Sequence, residues 1–315
     1  MVERGSKQDG TIDAELTERV ARLRRFFDVE EIVNKQIEIT DIITYYNRSS
    51  LGYSLIHSRD GAVHMSLSRN GKYDPEGHQV QVELVSQEIA DSRATRILEL
   101  GCGRGYNLAR LAKNWPNAEF VGIDLSPKNV DATRKEVIGL LNVHARKANF
   151  ESLPIPDGSF DLIFSVESLC HACSTGRALA EANRVTTTGG RLVVVDAWRS
   201  GKVTGATAEE KAAVSLTEKS MAVSSTMSAD DWSVLCEKLR WHFLSRHDLS
   251  SAVMPNLERF ERLADRLLDK PLLVRIAGLV FPRDLMNNVI AGYLMAQSVR
   301  QGFHSYGLVV LEKGG

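Results

Sequence analysis

Three glycines at alternate positions, Gly101, Gly103 and Gly105, follow the apolar run "RILEL" in the stretch "ILELGCGRGYN". Glycine loses more backbone freedom on ordering than any other residue, so such a cluster points to a tight bend or a backbone that approaches a ligand. A dinucleotide fingerprint wants its third glycine one position later, where this chain has Tyr106, and a triphosphate loop wants Lys-Ser/Thr after its glycines. Both are absent. Asp124 ends the next apolar run, "AEFVGID", nineteen residues after Gly105. A carboxylate at that position accepts charge-assisted hydrogen bonds from both ribose hydroxyls. Glycine loop and strand-end aspartate together fit a nucleoside ligand that lacks a pyrophosphate.

Glu167 closes a later apolar run, "SFDLIFSV", and His171 follows it by four residues. One helical turn would bring both to one face and couple their protonation. Cys170, His171 and Cys173 are zinc-ligand types, but a structural zinc site usually needs four ligands and no second Cys-x2-Cys pair exists. They read as packing residues, and no metal is expected. With Cys102 and Cys236 they form a set typical of a reducing compartment, not a disulfide framework.

The elements that must hold these groups alternate. "RILEL", "AEFVGIDL", "HARKAN", "SFDLIFSV" and "GGRLVVVDAW" read as strands, the last entered from a glycine turn. Between them "YNLARLAKNW", "SPKNVDATRKEVIGLL" and "TGRALAEANRV" read as helices, with Ser126 an N-cap and Pro127 at the first helical position. Near-continuous apolar strands separated by helices predict a parallel sheet covered on both faces, with ligands at the carboxyl ends of the strands.

Upstream, "DAELTERVARLRRFFDVEEIVNK" reads as one amphipathic helix, "IEITDIITYYNRSS" as a second, and residues 51–78 as an irregular lid containing His57, His64 and His78. A helix from Gln79 to Ala90 leads into the sheet. Downstream, "TAEEKAAVSLTEKSMAV" and "SADDWSVLCEKL" are helices, "WHFLSRHDLSSAV" holds a sixth strand, Leu257–Leu268 and Pro271–Leu279 are apolar helices, and "FHSYGLVVLEK" is the final strand. The expected fold is α/β: a Rossmann-like seven-stranded, mostly parallel sheet with helices on both faces, an N-terminal helical cover and a helical insertion before the last strands. Residues 1–78 form the cover and lid, and 79–315 one domain with acceptor-pocket insertions at about 201–240 and 253–296.

The chain's 315 residues are 43% apolar, enough for a large core, and its formal charge of -1 gives no field for phosphate backbones. Nucleic acid is not expected as a partner. The charged N-terminus has no apolar signal core, and "PLLVRIAGLVF" is too short to span a bilayer. A cytoplasmic protein without stable membrane insertion is the expectation.

Residues 97–198 resemble the class I S-adenosylmethionine-dependent methyltransferases, nearest the sterol C24 and isoprenoid carbon methyltransferase branch, with cyclopropane fatty-acid synthases more distant. "ILELGCGRG" is similar to the family's first motif, "GIDLS" to its ribose motif, and "EANRVTTTGGRLVVVD" to its helix, turn and fifth strand. Within "ANFESLPIPDGSFDLIFSVESLCHA", the stretch Val-Glu-Ser-Leu-Cys-His-Ala resembles the Ile-Glu-Ala-Thr-Cys-His-Ala of sterol enzymes.

The resemblance implies S-adenosylmethionine as cofactor and S-adenosylhomocysteine as product. Glu99 and the Gly101 and Gly103 backbone would organise the methionine part, Asp124 the ribose, and Leu125 one adenine face. Asn149 would lie near the adenine amino group, where many relatives have aspartate, with the Phe150 backbone at the ring edge and Ser165 at the methionine end. Glu167 would stabilise developing cationic charge, directly or through a bound species, and assist proton removal. Tyr45 or Tyr46 could turn a ring toward a sulfonium or carbocation, His64 could relay protons or bind an acceptor hydroxyl, and His171 could tune Glu167. Apolar segments with Met286, Asn288, Tyr293 and Met295 could line the cavity for a small apolar acceptor. A homodimer is the assembly the resemblance suggests.

Overall fold

Aliphatic and β-branched runs too short to bury themselves as helices become the strands of one sheet. The computed structural model describes residues 9–52, 58, 60–224 and 226–315. Among these, β1 (Arg96–Leu100), β2 (Glu119–Asp124), β3 (Val143–Lys147), β4 (Phe160–Val166), β5 (Thr186–Arg199), β6 (Trp241–Asp248) and β7 (His304–Lys313) lie in the order β3-β2-β1-β4-β5-β7-β6. Strands β1 to β5 are parallel, and β7 runs antiparallel between β5 and β6.

The helices are α1 (Asp9–Leu23), α2 (Val29–Asn34), α3 (Ile39–Gly52), α4 (Gln79–Ser92), α5 (Tyr106–Asn114), α6 (Pro127–Glu136) and α7 (Thr175–Val185). They continue as α8 (Lys202–Gly205), α9 (Ala208–Lys219), α10 (Ala229–Lys238), α11 (Ser250–Leu268), α12 (Pro271–Val280) and α13 (Arg283–Arg300). The expected seven-stranded, mostly parallel architecture, with helices before it and inserted ahead of the last strand, is the observed one.

Side chains alternate across the pleat, so each strand feeds two cores. Ile97, Phe120, Phe164 and Val193 pack on α4 and α5, whereas Leu98, Leu100, Ile163 and Val194 pack on α7 and α10. A third core joins Leu16, Val20 and Leu23 of α1 to Leu216 of α9 and Ile290 and Leu294 of α13. The N-terminal helices are thereby fixed to the insertion that follows the sheet, above the carboxyl ends of its strands.

Several boundaries differ from expectation. The single helix expected over residues 13–35 breaks between Leu23 and Val29, where Asp28 caps a new helix by accepting from the Glu31 amide at 2.9 Å. Helix α6 stops at Glu136 instead of running to Leu141, because Gly139 has turned to φ +88°. Strand β5 runs through its glycines from Thr186, with an irregular register opposite Phe160 and Leu162, so the glycines are not a turn before it. Helix α11 begins at Ser250 instead of Leu257 and continues through Pro255.

Candidate active site

Strand β1 delivers Glu99 to the edge of the glycine loop. Its Oε1 accepts from Asn107 Nδ2 at 3.1 Å, while its Oε2 is buried with no partner among the described residues. Burial pushes this carboxyl up to about 8. A buried carboxylate oxygen without a donor is costly unless a cationic or N–H group meets it. Asn107 is held in turn by His64, whose Nε2 lies 3.1 Å from its Oδ1.

Gly101, Gly103 and Gly105 adopt φ of +72°, +52° and +87°. A Cβ at Gly101 would stand 2.4 Å from Cβ of Ser168, and one at Gly105 would stand 2.9 Å from Cγ2 of Thr133. Both backbone angle and close packing therefore require glycine there. Val63 lies over Gly103, with Cγ2 3.1 Å from where a Cβ would sit.

Asp124 ends β2 beside this loop. Its Oδ2 accepts from the Gly103 amide at 2.9 Å, and its Oδ1 accepts from the Ser126 amide at 2.8 Å and Asn129 Nδ2 at 3.2 Å. Burial raises its pKa, against these bonds. Leu125 follows, half-buried. Asn149 Oδ1 caps a local turn by accepting from the Glu151 amide at 2.9 Å, and the Phe150 side chain belongs to the core behind the sheet. Ser165 is fully buried, and its hydroxyl lies 2.7 Å from that of Ser168, which donates to the Leu100 carbonyl.

Glu167 leaves β4 with φ +48°, a strained angle for a residue with a side chain. Its Oε1 accepts from the Tyr306 hydroxyl at 2.6 Å and from the Met65 amide at 2.7 Å. Burial pushes the carboxyl up to about 7 against those two bonds, and the nearby Asp196 charge acts in the same direction as burial. Met65 is also held through its carbonyl, which accepts from Gln81 Nε2 at 2.7 Å.

The expected helical pairing of Glu167 with His171 does not form. Glu167 is left-handed, Ser168 at φ -129°, ψ -30° is neither helical nor extended, and only a 3-10 turn, Leu169–His171, follows. His171 instead meets the Ala222 carbonyl through Nδ1 at 3.2 Å and the Tyr46 hydroxyl through Nε2 at 2.8 Å. A carbonyl only accepts, so Nδ1 carries the hydrogen and Nε2 accepts from Tyr46. Burial pushes the imidazole down to about 4, consistent with that neutral form.

Glu167, Tyr45, Tyr46 and His171 share the wall of a cavity of about 480 Å³. Its opposite side is apolar, supplied by Leu257 and Phe260 of α11, Ala277 of α12 and Met286, Val289 and Met295 of α13. Tyr45 donates to Asn288 Oδ1 at 2.6 Å, and Asn288 also lines the cavity. Tyr293 instead carries Arg19 4.6 Å from its ring centroid and receives Arg22 on its hydroxyl. His64 does not line the cavity; it stands behind it in the chain of bonds to Glu99. His78 lies 5.5 Å from His64 ring to ring, and His57 falls outside the described residues.

Met65, Tyr306 and Asp196 were not anticipated as cavity residues. Asp196 accepts from the Cys170 amide at 3.0 Å and is pushed up to about 6 by burial. None sits in a spacing that announces chemistry, although Tyr306 in a strand two residues from His304 shares its face. Replacing Tyr306 with phenylalanine removes a donor that favours ionised Glu167. The expected result is a further rise of that pKa, read as displacement of the acidic limb of the pH–rate profile to higher pH with cofactor affinity retained.

Among the described residues no cluster of three or more His, Cys, Asp or Glu could hold a metal ion, and no helix is long and apolar enough to cross a membrane.

A family model described as a methyltransferase domain matches residues 98–194. The chain is 29% identical over 168 residues to O-methyltransferase cnsE of Penicillium expansum, covering 50% of this chain and 58% of that one. It is 30% identical over 184 residues to the S-adenosyl-L-methionine-dependent Diels-Alderase iccD of Talaromyces variabilis, covering 55% and 60%. A solved geranyl diphosphate C-methyltransferase from Streptomyces coelicolor A3(2) superposes with a TM-score of 0.61 at 16% identity, over 87% of this chain and 97% of that one. The alignments span less than two thirds of the length of the curated relatives.

Proposed function

We propose that the chain transfers the methyl group of S-adenosylmethionine to a small, largely apolar acceptor, most readily at carbon, a reading supported by its class I S-adenosylmethionine-dependent methyltransferase fold. The observation that carries this reading is the Glu167 carboxylate on the wall of a large apolar cavity beside the glycine loop.

The residues suit the cofactor. Glu99 Oε2 offers a buried acceptor to a cationic amino group, and Asp124 offers carboxylate lone pairs to a ribose. The described residues up to His78 act as cover and lid, with Leu125, Asn149, Phe150 and Ser165 as the remaining cofactor contacts. When bound, S-adenosylmethionine supplies an electrophilic methyl group. The chain's own residues do the rest: the cavity orients an acceptor and excludes water, and the rings of Tyr45 and Tyr46 provide faces that tolerate positive charge. An alkene that takes the methyl group at one carbon becomes cationic at the neighbouring carbon, the sulfonium leaves as a thioether, and the cation must lose a proton. Glu167 has Oε1 engaged by two donors, whereas Oε2 has no donor among the described residues and serves that charge and proton.

O- or N-methylation is the second reading, favoured by the likeness to an O-methyltransferase, and would use Glu167 as a base toward a hydroxyl or amine. The test is incubation with methyl-labelled S-adenosylmethionine and paired acceptors, one an unsaturated isoprenoid and the other bearing a hydroxyl, followed by mass spectrometry. Label on carbon supports the main reading, and label on oxygen the second. Turnover without label, sustained by S-adenosylhomocysteine, overturns both in favour of ring closure of the kind named for one relative.

Cofactor binding also has a proton signature. Glu99 is pushed up to about 8, so at pH 7 it is largely protonated before a cationic group arrives and ionised afterwards. Titration calorimetry at pH 7 in buffers of different ionisation enthalpy is expected to show release of about one proton per cofactor, absent in Glu99→Gln.

A further inference from the structure

Helix α12 is inverted. At about 100° per residue, Leu272, Leu273, Ile276, Leu279 and Val280 fall within an arc of about 120°, and that arc faces outward. Leu272 is 70% and Leu279 88% exposed, and Phe281 extends the patch. Soluble surface helices put their apolar stripe toward the core, so a stripe of this size turned to solvent marks a contact site.

Two observations say what covers it. The patch is flanked by cations: Arg275 borders the stripe and Lys270 stands at the start of α12, both exposed and with no ion-pair partner among the described residues. The nearby acids are already engaged, Asp265 and Asp269 by Arg22 and Asp284 by Arg48. The patch is also continuous with the acceptor cavity, because Ala277, Phe281 and Leu263 line that cavity while Phe281 and Leu263 are exposed.

We propose that α12 docks reversibly on an anionic lipid surface, its leucines in the acyl boundary and Arg275 and Lys270 at the headgroups, so that a membrane-dissolved acceptor enters the cavity beneath it. An apolar stripe with basic flanks lies in the interfacial plane without spanning the bilayer, and long cationic side chains reach the phosphates. A second copy of the chain is a poorer occupant. Two-fold pairing through α12 would set Arg275, at mid-helix, against its own copy. The acceptor's route rests on the reading that the acceptor is apolar; the docking itself does not.

The test is co-sedimentation of the full chain, without cofactor or acceptor, with vesicles of phosphatidylcholine alone and of equimolar phosphatidylcholine and phosphatidylglycerol. Expected is partitioning to the anionic vesicles that weakens with added salt. It should fall about tenfold or more in Leu272→Glu/Leu279→Glu, and by a smaller factor in Arg275→Glu. These positions are exposed, and cofactor binding by calorimetry checks that the variants fold. No partitioning, equal partitioning of the leucine variant, or a dimer that the same variant converts to monomer would overturn the proposal. Retained methyl transfer alongside any of those results would leave the reaction assignment intact.

Discussion

Glu167→Gln is expected to bind S-adenosylmethionine within several-fold of the unaltered chain and to methylate its acceptor roughly a hundred- to ten-thousand-fold more slowly. The amide keeps an oxygen where Tyr306 and Met65 donate, so both contacts and the strained backbone at residue 167 are retained. What disappears is the negative charge and the site for a departing proton. The pH dependence separates this from a packing effect. With Glu167 pushed up to about 7, the unaltered chain gains activity as pH rises through that value, because only the ionised form stabilises a cation or accepts a proton. The glutamine variant should show no such limb. Single-turnover rates across the pH range measure both quantities, and near-normal turnover in the variant would remove Glu167 from the chemistry.

Asp124→Ala is expected to weaken cofactor binding by a hundredfold or more while leaving a folded protein of reduced stability. Each hydrogen bond to a charged carboxylate contributes about 1.5–3 kcal/mol, and two ribose hydroxyls are at stake. The same carboxylate satisfies the amides of Gly103 and Ser126, so its loss also leaves two donors of the glycine loop and the α6 cap without their partner. Thermal unfolding without ligand reads that structural part, and calorimetry reads the binding loss. Asp124→Asn, which keeps one acceptor oxygen, should recover part of the stability but little of the affinity.

The sheet was legible because its strands are short apolar runs bounded by glycine, proline and capping residues, as "RILEL" and "FDLIFSV" show. Ser126, Ser228 and the capping pair Thr207 and Glu210 mark helix starts by local chemistry that tertiary packing did not override. Boundaries differ where tertiary packing extends or breaks an element. Pro255 sits inside α11 because Val253, Asn256 and Leu257 are buried on either side of it, and the segment gains more by packing than the missing hydrogen bond costs.

At the site, Gly101, Gly103, Gly105 and Asp124 could be found because their constraints are local: positive φ, close approach, a carboxylate at a strand end. Met65, Gln81 and Tyr306 could not, since their relation to Glu167 joins segments 102 and 139 residues apart and follows no spacing. His171 was misassigned to Glu167 for the converse reason. Four residues make a shared face only if the intervening backbone is helical, and the left-handed angle at Glu167 breaks it.

The short run from Val63 to Met65 is a party wall. One end leans on Gly103 and the other is fastened to Glu167, so the glycine loop and the cavity share it. With the nucleoside held at that loop as proposed, an acceptor filling the cavity should slow escape of the spent nucleoside, and release rates measured with and without acceptor would reveal it.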